Sequence, residues 1–202
     1  YDMANDTFTV DTPVRVDDDT PSGAYDSGVD IAVDSDGNIL VVWAECDASG
    51  NWTLYADVET GSGFGTDMAV SDDTGADEMR PRITLAGTGN STIAWVFWQR
   101  LDASSNEWLV MADQAAWSNY DSWGTDVRVD AHGAGFNSRF PGPASTPSGD
   151  GPFCFFIDDR NSSTTGEDLL FAEYNAVGGN FSETTAYAGD DDQQEPTAVA
   201  VD

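Results

Sequence analysis

Asp67-Met68-Ala69-Val70-Ser71-Asp72 returns as Asp126-Val127-Arg128-Val129-Asp130-Ala131 and again as Thr185-Ala186-Tyr187-Ala188-Gly189-Asp190, 59 residues on each time. Upstream, Pro13-Val14-Arg15-Val16-Asp17-Asp18 fits the same frame 54 residues earlier. Other parts of the unit recur in the same order. Trp52-Thr53-Leu54-Tyr55-Ala56-Asp57 returns as Trp108-Leu109-Val110-Met111-Ala112-Asp113, and more faintly as Asp168-Leu169-Leu170-Phe171-Ala172-Glu173. Val41-Val42-Trp43-Ala44-Glu45 answers to Val96-Phe97-Trp98-Gln99-Arg100 and to Phe155-Phe156-Ile157-Asp158-Asp159. A fixed period of this length marks a chain of stacked structural units rather than one irregular domain.

Within a copy, four short runs are separated by turn residues. In the first they are strand A, Val29 to Val33; strand B, Ile39 to Glu45; strand C, Trp52 to Val58; and strand D, Thr66 to Val70. Strand B is apolar at both alternating positions, so both of its faces need cover. Strand D alternates and is more polar, as an outer strand should be. Four antiparallel strands with a doubly covered inner member describe an all-β fold of β-propeller blades packed face to face. A two-sheet sandwich would bury the same strands without explaining the repeat.

The expected layout is a single partial β-propeller over 1–202. Complete blades fall at 17–70, 71–129 and 130–188, residues 1–16 match strands C and D of a preceding blade, and 189–202 match strand A of a following one. These ragged ends lead us to expect a segment of a longer polypeptide, whose other segments, or neighbouring surface subunits, supply the missing strands.

Thirty-seven acidic residues stand against seven basic ones, all arginine, for a formal charge of -30. Such a body repels itself unless salt screens it, because unscreened like charges act over about 10 Å or more below 0.1 M salt. A protein working in brine is the expectation, and calcium is the cation such carboxylates would take. Nucleic acid and anionic membranes both need a basic surface and are excluded as partners. No run approaches the roughly 18 apolar residues of a spanning helix, so membrane insertion is not expected. Five of the ten asparagines, Asn5, Asn51, Asn90, Asn161 and Asn180, head Asn-x-Ser/Thr sequons, which points to a secreted glycoprotein, extracellular or at the cell surface. Cys46 and Cys154 belong to opposite ends of non-neighbouring units and are expected as packed, unpaired thiols.

Ile31-Ala32-Val33-Asp34-Ser35-Asp36-Gly37-Asn38-Ile39-Leu40-Val41-Val42-Trp43, followed by Asn51-Trp52-Thr53-Leu54-Tyr55-Ala56, resembles the Asp-box, or BNR-type, blades of sialidase-like propellers in secreted bacterial and archaeal surface proteins. The resemblance spans the chain and is degenerate outside the first copy. It implies architecture more than activity, since such propellers serve as hydrolases, lectin-like binders and scaffolds. In that family the box lies between strands C and D, whereas Asp34-Ser35-Asp36-Gly37-Asn38 lies between A and B.

Asp34, Asp36 and Asn38 gather two carboxylates and an amide oxygen, the ligand chemistry of calcium, although Asp-Gly and Gly-Asn are also ordinary turn residues. Arg80, Arg82 and Arg139 precede or open strand A, and Arg100 and Arg160 lie at the B–C turn, so the five ring one end of the body. Guanidinium forks there would suit carboxylated or sulfated sugars; the competing reading pairs each Arg with nearby acids. Arg139-Phe140-Pro141 only loosely resembles the Arg-Ile-Pro motif of sialidases, and no Tyr-Glu nucleophile set is legible. Lone His132, in a Gly-rich stretch, reads as an exposed loop residue. Trp43, Trp52, Trp95, Trp98 and Trp108 read as core, Trp117 and Trp123 as freer to be exposed.

The sequence therefore favours a non-catalytic structural or binding module adapted to high salt. The alternative is part of a sialidase-like glycoside hydrolase, or a lectin-like domain holding acidic glycans at the arginine-bearing rim.

Overall fold

The computed structural model describes residues 14–17, 25–59, 61, 63–72, 75–116, 120, 122–146, 151–163 and 166–187. They form twelve strands: β1 (Tyr25–Val33), β2 (Ile39–Cys46), β3 (Trp52–Glu59), β4 (Met68–Ala69), β5 (Asp77–Ala86), β6 (Ile93–Asp102), β7 (Glu107–Ala116), β8 (Val127–Arg128), β9 (Ser138–Ala144), β10 (Phe153–Asp158), β11 (Asp168–Asn175) and β12 (Asn180–Tyr187). Among these residues the only helical element is a 3-10 turn, Gly89–Ser91. Consecutive strands pair antiparallel into three four-stranded sheets, β1–β4, β5–β8 and β9–β12. The fold is all-β, and the sheets form an open row rather than a closed ring. The expected pieces 1–13 and 188–202 lie outside the described residues.

Side-chain alternation decides how the sheets stack. Leu40, Val42, Ala44, Leu54, Ala56 and Val58, from the first sheet, bury against Ile83, Ala94, Val96, Trp98, Leu109 and Met111 of the second. The other face of the second sheet, Trp95, Phe97, Val110 and Ala112, packs against Cys154, Phe156, Leu170, Ala172 and Phe181 of the third. The middle sheet is thus covered on both sides, which is why β6 is apolar at every position from Ala94 to Trp98. Burying each large side chain stabilises the stack by about 1.5–3 kcal/mol. Both cysteines are buried and unpaired. The expected outer strands shorten to two residues in β4 and β8, each prolonged by one more ladder bond, from Val70 N–H to Leu54 O at 2.9 Å and from Val129 N–H to Val110 O at 2.9 Å.

The inner strand of every sheet carries a bulge at the same place. Gly28 and Val29 together oppose Trp43, Arg80 and Pro81 oppose Trp98, and Phe140 and Pro141 oppose Phe156. Gly28, Arg80 and Phe140 all adopt left-handed backbone, with φ of 61, 55 and 59°. An extra residue in a bulge leaves the ladder, so Pro81 and Pro141 sacrifice no sheet hydrogen bond. The bulges also correct one alignment: Trp98 corresponds to Phe156, not to Ile157. The one-residue slip matters because side chains alternate with period two, and Phe156 rather than Phe155 faces the second sheet.

Candidate functional site

The inner strands bring their bulges together. Arg80 stacks over the Phe140 ring, Cζ lying 4.4 Å from its centroid, and Arg139 approaches the same ring at 5.8 Å. Phe140 N–H donates to Gln99 Oε1 at 2.9 Å, which ties the third sheet to the second. Gly28, Val29, Arg80, Pro81, Arg82, Phe140 and Pro141 line a solvent-open cavity of about 110 Å³. Left-handed Arg80 and Phe140 each cost about 1–3 kcal/mol, a strain that persists only where surrounding contacts hold it. The walls offer two guanidinium groups, one aromatic face and aliphatic rings. Among the described lining residues there is no carboxylate, hydroxyl or imidazole to move a proton.

The five arginines singled out from sequence divide between inner strands and the strands and turns outside them. Arg80, Arg82 and Arg139 lie on the inner strands. Arg100 and Arg160 reach outward, Arg100 to Asp126 at 3.4 Å and Arg160 to Asp158 at 2.6 Å and Glu183 at 2.5 Å. Burial alone would raise the Asp158 carboxyl, but the hydrogen bonds from Arg160 and Ser138 outweigh it and hold the group below the usual carboxylate range. Arg139 pairs with Glu167. Arg82, half-buried in the cavity wall, has no acidic partner among the described residues.

Asp34 is spent on its own turn. Its Oδ1 accepts the backbone N–H of Asp36 at 2.8 Å and of Asn38 at 2.9 Å, and its Oδ2 accepts Asn38 Nδ2 at 2.9 Å. Slight desolvation is outweighed by these donors, and Asp34 titrates below its ordinary value. Asp47 closes the β2–β3 turn identically on Ser49 and Asn51. Among the described residues no three His, Cys, Asp or Glu side chains converge as a metal site. Of the sequon asparagines, Asn51 donates Nδ2 to Asp47 and Asn161 to Asp168 at 2.6 Å, while Asn180 is exposed. Asn90 sits in the 3-10 turn, and Asn5 lies outside the described residues.

Two expectations are overturned. His132 is only 6% exposed: its Nδ1 lies 2.7 Å from Gly133 O and its Nε2 3.4 Å from Asp130 Oδ1, so its ring turns inward while Ala131, Gly133, Ala134 and Gly135 stay exposed. Trp123 is not a free surface residue either, since it packs against the cluster between the first two sheets. Trp117 lies outside the described residues.

Sequence reasoning singled out none of the buried acids, among them Glu78 and Asp113. Glu78 accepts from Trp98 Nε1 at 3.1 Å and from the Ser71 hydroxyl; burial, with a smaller push from Asp126, lifts its carboxyl to about 8. Asp113 accepts Gln114 N–H at 2.6 Å, and burial lifts it to about 7. In a chain with 37 acids, nothing in the sequence distinguishes these two.

No family model matches the sequence, and no curated protein is significantly similar to it. Among solved structures the fold is similar to that of the Hadza microbial sialidase Hz136, with a TM-score of 0.56 at 7% identity, covering 77% of this chain and 36% of that one. The chain thus matches little more than a third of that protein's length. At so low an identity the likeness speaks for the fold alone, and the fold is sialidase-like.

Proposed function

We propose that the chain is a non-catalytic binding module built of sialidase-like propeller blades, part of a secreted or cell-surface protein adapted to high salt. The cavity at the inner strands receives the anionic group of an acidic glycan. The observation that carries this reading is Arg82: in a chain with 37 acids and seven bases, it lines the cavity and forms no ion pair among the described residues. A guanidinium is always charged and presents a planar fork matched to carboxylate or sulfate oxygens. Arg80, stacked on Phe140, adds a second positive charge, and the ring offers a face for the apolar side of a sugar.

The test is calorimetric titration of the full chain with carboxylated and with sulfated oligosaccharides. Arg82→Gln should weaken binding by about tenfold, in keeping with the loss of one charge-assisted hydrogen-bonded contact. Arg100→Gln, whose partner is Asp126, should leave it unchanged. Absence of binding to both sugar classes, or binding indifferent to Arg82, would falsify the assignment. The similarity to a sialidase keeps a hydrolase as the second reading, and release of a fluorogenic acidic sugar by the full chain would favour it.

A further inference from the structure

Among the described side chains, Asn51, Asn161 and Asn180 head sequons, and they differ in what the amide nitrogen does. Asn51 Nδ2 donates to Asp47 Oδ2 at 3.0 Å and closes the β2–β3 turn. Asn161 Nδ2 donates at 2.6 Å to Asp168, a carboxylate with no exposed surface. A sugar on either nitrogen would take one of its two protons and crowd a charge-assisted hydrogen bond. Asn180 Nδ2 makes no hydrogen bond among the described residues. The β11–β12 turn explains the difference. It opens on Asn175, whose backbone oxygen accepts Gly178 N–H at 3.1 Å and Gly179 N–H at 2.8 Å and whose Oδ1 accepts Val177 N–H at 3.0 Å. Asp47 has a second side-chain oxygen for the asparagine that ends its turn; the amide of Asn175 has one oxygen and none left for Asn180. Asn180 Oδ1 rests over Gly178, where any Cβ would collide with it, and its nitrogen lies farther from the turn.

We propose that Asn180 carries an N-linked glycan, attached to the folded hairpin in preference to Asn51 and Asn161. This rests on the secreted or cell-surface reading and is independent of the cavity. Strand alternation sets the site: Phe181 is buried in the cluster between the second and third sheets, so its neighbours Asn180 and Ser182 project from the opposite face. Both are exposed, as are Ala176, Val177, Gly178 and Gly179 in the turn. The acceptor amide and the hydroxyl two residues on, the pair a sequon requires, therefore share one open face at the end of a hairpin. A transferase can reach them without unfolding the sheet. The sugar donor is a lipid-linked oligosaccharide phosphate or diphosphate. Asn180 Nδ2 bonds to the anomeric carbon as the bond from that carbon to the phosphate oxygen breaks; the phosphate leaves with the electron pair, and one Nδ2 proton passes to a base of the transferase.

The test is to secrete the full chain from a cell that N-glycosylates its secreted proteins and to cut it after arginine and glutamate. Asn5, Asn51, Asn90, Asn161 and Asn180 then fall in separate peptides, 1–15, 46–59, 83–100, 161–167 and 174–183. Mass spectrometry should find 174–183 heavier by the mass of a glycan, and 46–59 and 161–167 at their peptide masses. Asn180→Gln and Ser182→Ala should each abolish the shift at 174–183, the second while keeping the asparagine itself. An unmodified 174–183 in a chain modified elsewhere overturns the site assignment and leaves the secreted reading standing. A chain modified nowhere overturns both. Equal modification of 46–59 or 161–167 overturns the selection argued from their hydrogen bonds, and a shift that survives either substitution overturns the assignment to Asn180. The oligosaccharide titration of Arg82→Gln judges the cavity separately.

Discussion

Glu78 is fully buried, yet its carboxyl is held by Trp98 Nε1 and Ser71 Oγ rather than by a cation in contact. Its folded pKa of about 8 lies above the ordinary 4.5, so between these values the folded chain holds a proton that the unfolded chain has released. The stabilisation from this group is complete below pH 4.5, falls as pH rises, and is lost above about 8. Glu78→Gln keeps a carbonyl for Trp98 and an amide for Ser71 without any ionisation. At about pH 9 the variant should be more stable than the parent by about 1–3 kcal/mol, and at about pH 5 the two should agree closely. Urea unfolding at both pH values measures the difference. An offset that stays constant with pH would mean that Glu78 is not the titrating group.

The bulged inner strand is the element on which both the packing and the cavity depend. Gly28 adopts φ of 61°, and a Cβ placed there would sit 3.2 Å from Pro81 Cδ and 3.3 Å from Arg80 Cα. Gly37, at φ of 86° in the β1–β2 turn, has nothing within 4 Å. Gly28→Ala should therefore cost more than Gly37→Ala, which bears only the left-handed penalty of about 1–2 kcal/mol. Denaturant midpoints of the two variants compare them, and equal losses would refute close packing of β1 on β5. Most of the sheet was legible in sequence because β2 and β6 are apolar at consecutive positions and glycine-rich turns separate the runs. The bulge was not, because a residue leaving a ladder changes no local composition; only Pro81 and Pro141 betray it. That hidden residue shifted the third alignment by one and concealed that Arg80 meets Phe140 across two sheets. The arginines were recognisable as a set, but their division was not. Arg160 finds Glu183 and Arg100 finds Asp126, partners 23 and 26 residues away whose position depends on the outer strands.

At the scale of the whole molecule two electrostatic effects oppose each other as salt is added. Screening weakens the ion pairs of Arg100, Arg139 and Arg160, which lowers stability. It also weakens repulsion among 37 acidic groups, of which seven arginines can neutralise at most seven one to one. Partly exposed pairs contribute about 0–1 kcal/mol each, whereas the net charge of -30 acts on the entire body. Repulsion should win. The melting temperature is expected to climb between about 0.01 and about 1 M NaCl and then to level off, because the screening length is by then about 3 Å, less than the spacing of neighbouring carboxylates. Sodium chloride and potassium chloride at equal ionic strength should act alike if screening is the cause. Calorimetric scans across that range decide the matter: a melting temperature that is flat or falls would show that the acidic surface does not limit stability, and the expectation of a protein built for brine would have to be abandoned.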